Sequence, residues 1–164
     1  MSGRENVVLE LSRLEAGHLA DLVGQFLELV DDGAARELGS QADPAIVRLV
    51  PDAYPDDRRA GREFRELTAD ALLQRRADDA RVVLATIGAG TTTDAAAADA
   101  LEPHVVRLDA ETIDAWLRTL AALRLVLASR LGIEDESDHR EGDPRFGVYD
   151  WLGYRLAGLV DAAG

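Results

Sequence analysis

The chain has no cysteine and no lysine among its 164 residues. Without cysteine there can be no disulfide, thiolate nucleophile, zinc thiolate site or thiol redox switch. Without lysine, a Walker-type loop lacks the ammonium group that reaches the phosphates. All 18 basic residues are therefore arginine, which, with the abundant alanine, reads as the mark of a GC-rich genome. Long apolar runs are also missing. No stretch is long enough to cross a bilayer, and the N-terminus has no signal-peptide core, so the expected location is the cytoplasm. Positive charge is scarce: 31 acidic side chains against 18 basic ones give a net charge of −13. DNA binders gain most of their affinity from basic groups that displace counterions, so direct nucleic-acid binding is disfavoured.

What is present fits one globular domain over residues 1–164, with 47% hydrophobic residues. Two short β-branched runs, Val7–Ser12 and Val105–Asp109, each precede a helical pattern. They are expected to pair as a two-stranded ribbon lying on a helical body, because two strands alone are too few to be stable. Ser12 and Glu15 have capping-box spacing at the head of a first helix, expected to run to about Asp31 and stop at Gly33. Asp43-Pro44 starts a short helix to about Val50. Helices are further expected over about 56–67 and 68–87, with Thr68 capping the second. A long one follows Asp109 and stops at Gly132, and a last one covers 148–162 and is expected to bury Leu152, Leu156, Leu159 and Val160. The fold class is thus mainly α, five to six helices with a short β ribbon. Residues 89–104 read as a flexible internal linker and residues 133–147 as an acidic loop.

The stretch RVVLATIGAGTTTD (81–94) resembles a strand entering a nucleotide-binding loop. Its upstream neighbours form an unbroken helix-forming run, and Val83, Leu84 and Ile87 continue that helix's apolar stripe. Gly88 then marks a helix end. A dinucleotide fingerprint also needs a further glycine and strand–loop–helix order. Nucleotide binding is not expected here.

Arg124 is the outstanding polar residue. At helical spacing it falls inside an apolar stripe, between the directions of Leu117 and Leu131. A guanidinium keeps its proton, so in such a place it needs acceptors. An opposed carboxylate would make it a helix-orienting ion pair; an open pocket would make it an anion-binding residue. Glu134, Asp135, Glu136 and Asp138 head the acidic loop, without the ligand spacing of an EF-hand; they read as a solvated loop or a docking surface for a basic partner. The three histidines are scattered with no metal-ligand spacing, and no serine sits in a nucleophile elbow. No cofactor, metal or catalytic residue is assigned. Trp116 reads as core. Trp151 and Tyr154 lie away from Leu156 and Val160 on the last helix, either packed on the first helix or exposed as a partner surface, such as a homodimer interface.

The phrases DLVGQFLELV, DPAIVRLVPDAYPDD, FRELT, VVLATI, LRLVLASRLGIEDE and YDWLGY resemble the actinobacterial domain-of-unknown-function family numbered 2017. The resemblance covers nearly the whole chain except residues 89–104. It implies a small cytoplasmic protein without assigned enzymatic activity, some relatives being described as transcription-associated regulators linked to oxidative stress. Arg124, Arg130, Gly132, Tyr149 and Trp151 are among the matching residues, and none carries a catalytic role. A thiol-based sensor cannot operate in this chain. The expected function is a non-enzymatic regulatory or adaptor protein acting through protein contacts, with a basic region of the transcription apparatus as a candidate partner. The alternatives are a small-anion binder or enzyme centred on Arg124 or on the arginines between Arg58 and Arg65, and a DNA-binding protein.

Overall fold

In the computed structural model, which describes residues 6–35, 43–50, 58–88 and 99–164, strand β1 (Val7–Ser12) pairs antiparallel with β2 (Pro103–Leu108). Val7 faces Leu108 and Leu11 faces His104. Alternation puts Val7, Leu11, Val106 and Leu108 on the covered face and Val8, Glu10, Val105 and Arg107 outside. Five helices complete the chain: α1 (Arg13–Ala35), α2 (Pro44–Leu49), α3 (Arg58–Ile87), α4 (Ala110–Leu131) and α5 (Gly147–Ala163). Two single 3-10 turns, Glu136–Asp138 and Pro144–Phe146, lie between α4 and α5.

Helix ends follow local chemistry. The Ser12–Glu15 capping box forms, with Glu15 N–H donating to Ser12 Oγ at 3.1 Å and Ser12 N–H donating to Glu15 Oε2 at 2.8 Å. Asp43 caps α2 through Ala45 N–H at 2.9 Å, and Asp109 caps α4 through Thr112 N–H at 2.9 Å. Gly132 stops α4 at φ +73°, and Ile133 N–H reaches back to Ala128 O at 2.8 Å. Gly88, at φ +85°, follows the last turn of α3, and His104 Nε2 meets Ile87 O there at 2.7 Å.

Three boundaries differ from expectation. Residues 58–87 form one helix, not two, because nothing between Arg62 and Ile87 breaks the run and Thr68 lies inside it. Helix α1 passes through Gly33 to Ala35; one glycine costs about 1 kcal/mol in a helix but does not end it. Val160 is exposed. Leu152, Leu156 and Leu159 define the inward face of α5, and Val160 is rotated about 80° from Leu152 at 100° per residue. The expected linker is shorter than 89–104: residues 99–102 are fixed by Arg13 N–H to Glu102 O at 2.9 Å and Leu14 N–H to Ala100 O at 3.0 Å, and β2 begins at Pro103. Its residues 89–98 lie outside the described residues.

Helix α4 is the hub. It packs on α1, α2, α3, α5 and β2, with Ile113, Trp116, Leu120 and Leu123 in the main core. Trp116 is fully buried and donates its indole N–H to Thr86 Oγ at 2.7 Å. Arg118 joins α4 to α3 by two bonds to Asp79, at 2.8 and 3.0 Å. Arg130 joins its other end to α2 by two bonds to Asp43, at 2.8 and 2.7 Å. Among the described residues no helix is long and apolar enough to cross a membrane.

Candidate functional site

Helix α4 presents Ala121, Arg124, Leu125 and Ala128 on one face by i, i+3, i+4, i+7 spacing. They line one wall of a cleft of about 910 Å³, which Arg48 of α2, Tyr149 of α5 and the segment after Gly132 also border. Arg124 is half-buried, and no carboxylate among the described residues lies within ion-pair distance of it. Its Nε donates to Tyr149 O at 3.3 Å, and its guanidinium carbon lies 4.1 Å from the centroid of the Tyr149 ring. Gly153, one turn on, leaves room for it: a β-carbon there would stand 3.1 Å from Cζ and Nη2 of Arg124. A peptide carbonyl, an aromatic face and a missing side chain thus fix the guanidinium plane while its Nη groups keep their donors for a ligand. Arg48 is a second cation in the cleft, with one Nη donating to Ile133 O at 3.1 Å.

The acidic segment is built, not featureless. Ile133 and Phe146 are buried together on Ala128 and anchor its two ends. Asp135 accepts from Ser137 N–H at 2.7 Å and from the Ser137 hydroxyl; the hydroxyl first, then the backbone bond, holds its carboxyl below the usual range. Asp138 turns back to accept from Glu134 N–H at 3.0 Å and Asp135 N–H at 3.3 Å. Asp138 is therefore a bracing residue, whereas Glu134, Asp135 and Glu136 stand on the cleft's lip. His139 Nε2 meets Asp150 Oδ1 at 2.6 Å, with its ring against Phe146 and Tyr149. Both members of that pair line the cleft. Among the described residues no group of three or more His, Asp or Glu side chains is placed to hold a metal ion.

Trp151 and Tyr154 do not join this cleft. Trp151 packs toward α1, its indole N–H donating to Glu15 Oε1 at 2.9 Å. Arg155 donates to the same oxygen at 2.8 Å and to Glu10 O at 3.3 Å. Burial pushes the Glu15 carboxyl up, but Ser12 N–H, Arg155 and Trp151 together outweigh it and bring it down to about 2. Tyr154 is 73% exposed beside the Arg155 guanidinium.

The structure thus brings Arg124 together with Glu134, Asp135 and Glu136, sets Asp138 to bracing, and leaves Trp151 and Tyr154 elsewhere. Sequence reasoning missed Tyr149, Gly153, Arg48 and the His139–Asp150 pair. One signal was readable: Tyr149 and Gly153 stand four apart on α5, so a helical residue without a side chain lies beside an aromatic. Of the arginines at 58–65, Arg59 is exposed and bonded to Glu63 at 3.3 Å; the side chains of Arg58, Arg62 and Arg65 lie outside the described residues. Residues 51–57, the whole of the PDAYPDD stretch, do too.

No curated protein and no solved structure matches the chain. A family model does, over residues 1–163, under the description Domain of unknown function (DUF2017). The chain belongs to that family.

Proposed function

We propose that this protein is a non-enzymatic regulatory adaptor of the actinobacterial cytoplasm that recognises a protein partner at the Arg124 cleft. The observation that carries the reading is an arginine held by Tyr149 and Gly153 in an open cleft, with no carboxylate among the described residues within ion-pair distance of it. Fixed donors lose little freedom on binding, so such a group favours a planar anionic acceptor. The floor at Ala121, Leu125 and Leu156 offers apolar contact, and Glu134, Asp135 and Glu136 on the lip suit basic residues. A partner segment with a carboxylate between apolar and basic side chains matches this order of groups. A basic region of the transcription apparatus is one source of such a segment.

The test is affinity capture from native lysate of the producing organism, comparing the wild-type chain with Arg124→Gln. The reading expects a protein retained by the wild type and lost from the variant. Recovery of the bait alone, or capture indifferent to Arg124, sinks it.

A second reading, a small-anion binder or enzyme at the same cleft, is favoured by the His139–Asp150 pair beside Arg124. An imidazole oriented by a carboxylate is how general bases are commonly built. A thermal-shift panel of small carboxylates and phosphates separates the two: a saturable shift that Arg124→Gln removes supports the second reading, and no shift supports the first.

A further inference from the structure

Helix α4 has a second open side. Leu123, Val126, Leu127 and Arg130 form the wall of a groove of about 350 Å³ against α1. At 100° per residue their mean direction is about 160° from that of Ala121, Arg124, Leu125 and Ala128, so the groove and the Arg124 cleft open on opposite faces of one helix. On α1 the groove runs over Leu22 and Gln25 into a second depression of about 490 Å³ that ends on Val148 and Trp151. Both depressions are lined by Leu22 and Gln25, so they adjoin along α1 and together make one surface channel, walled by α4 at one end and by α5 at the other. From Leu14 to Asp32 it spans about 27 Å along α1, the length of a five-turn helix.

The chemistry of the channel selects its occupant. Leu22 and Leu29 are half-buried, Leu14 is 40% exposed and Val148 49% exposed, so apolar surface is left facing solvent. Asp21, Glu28 and Asp32 are all exposed and follow the same side of α1 at i, i+7, i+11. Asp31, by contrast, turns to α3 and pairs with Arg81 at 3.4 Å. On the α4 wall, Arg130 is engaged by Asp43. The rim is acidic. A second copy of the chain would set this acidic row against itself and add −13 to −13. An anionic lipid surface is repelled for the same reason.

We infer that the channel along α1, walled by α4 at one end and by α5 at the other, is a docking site for an amphipathic helix of about five turns, apolar on one side and bearing arginine or lysine beside that stripe. Its apolar side seats on Leu22, Leu29, Val126 and Leu127, and its cations meet Asp21, Glu28 and Asp32. The protein then has two recognition faces back to back, with α4 as their common wall.

The probe is an 18-residue synthetic peptide with leucines at i, i+3/i+4, i+7 flanked by arginines. The controls are the same composition scrambled and a version with glutamate in place of arginine. Calorimetric titration of the full chain is expected to show the patterned basic peptide binding at least tenfold more tightly than either control. The exposed triple substitution Asp21→Arg/Glu28→Arg/Asp32→Arg, checked for unchanged circular dichroism, is expected to weaken that peptide at least tenfold and to gain the glutamate version. Equal binding of the scrambled peptide, an unaffected triple variant, or a wild-type chain that sediments as a dimer lost in that variant overturns the proposal. The triple variant is expected to keep Arg124-dependent capture from lysate, so this reading and that of the cleft fail separately.

Discussion

Position 153 shows what one absent side chain does. Gly153 has no positive φ among the chain's glycines that do, so its backbone does not ask for glycine; the Arg124 guanidinium 3.1 Å from its would-be β-carbon does. Gly153→Ala is expected to displace the Arg124 guanidinium from its seat and weaken capture at the cleft. In an Arg124→Ala background the same change has no obstacle and is expected to stabilise the protein by about 1 kcal/mol, the helix preference for alanine over glycine. A urea-denaturation cycle over the four proteins reads the smaller gain expected where Arg124 is present. Glu15 is the second telling residue. Its folded carboxyl lies at about 2 against 4.5 for the free group, so it stabilises above pH 4.5, and that contribution is lost as pH falls from 4.5 toward 2. Allowing for its partial exposure, the contribution is about 2 kcal/mol. Urea midpoints at pH 7 and pH 3 are expected to fall less between the two for Glu15→Gln than for the wild type. The sequence marked Arg124 as exceptional, since a charge in a leucine stripe breaks a pattern. Its partners were hidden because Tyr149 is 25 residues away, across a segment with no periodicity, and a backbone carbonyl leaves no trace in composition.

Element ends were legible where a capping residue sets them: the side chains of Ser12, Asp43 and Asp109 and the left-handed backbone of Gly132 all act as their residue types require. The joining of residues 58–87 was not, because Thr68 looks like a start signal, yet the competing alternative of continuing a good helical run is more favourable. The face of α5 was misjudged by one position at Val160, where two apolar neighbours compete for one core direction and only packing decides. Helix α4 keeps one local conflict. Thr119 is 1% exposed and its hydroxyl has no hydrogen-bond partner among the described residues. Thr119→Val keeps the shape and removes the unsatisfied group, and is expected to raise stability by about 1 kcal/mol in thermal or urea unfolding.

For the whole molecule, the periodicity of apolar residues pointed to a mainly helical body with a small ribbon, because helical stripes dominate and only two short alternating runs stand out. The channel along α1 was not legible. Leu22, Leu29, Val126 and Leu127 follow core spacing like the residues beneath them, and one sequence cannot say which parts of an apolar stripe go uncovered. The acidic surplus was legible as a number, and its arrangement beside that channel became visible only once α1 was oriented against α3.

The ribbon has a consequence for how the chain comes together. Leu11 pairs with His104 and Val7 with Leu108, separations of 93 and 101 residues. During synthesis, β1 emerges first and stays unpaired while α1, α2 and α3 are made, and its apolar side chains wait for a mate from the second half of the chain. Closing so long a loop is a late event. Leu11→Ala, at a position 2% exposed, is expected in stopped-flow chevrons to accelerate unfolding while leaving the refolding arm nearly unmoved. A strand made before its mate is thus among the last elements to find its place.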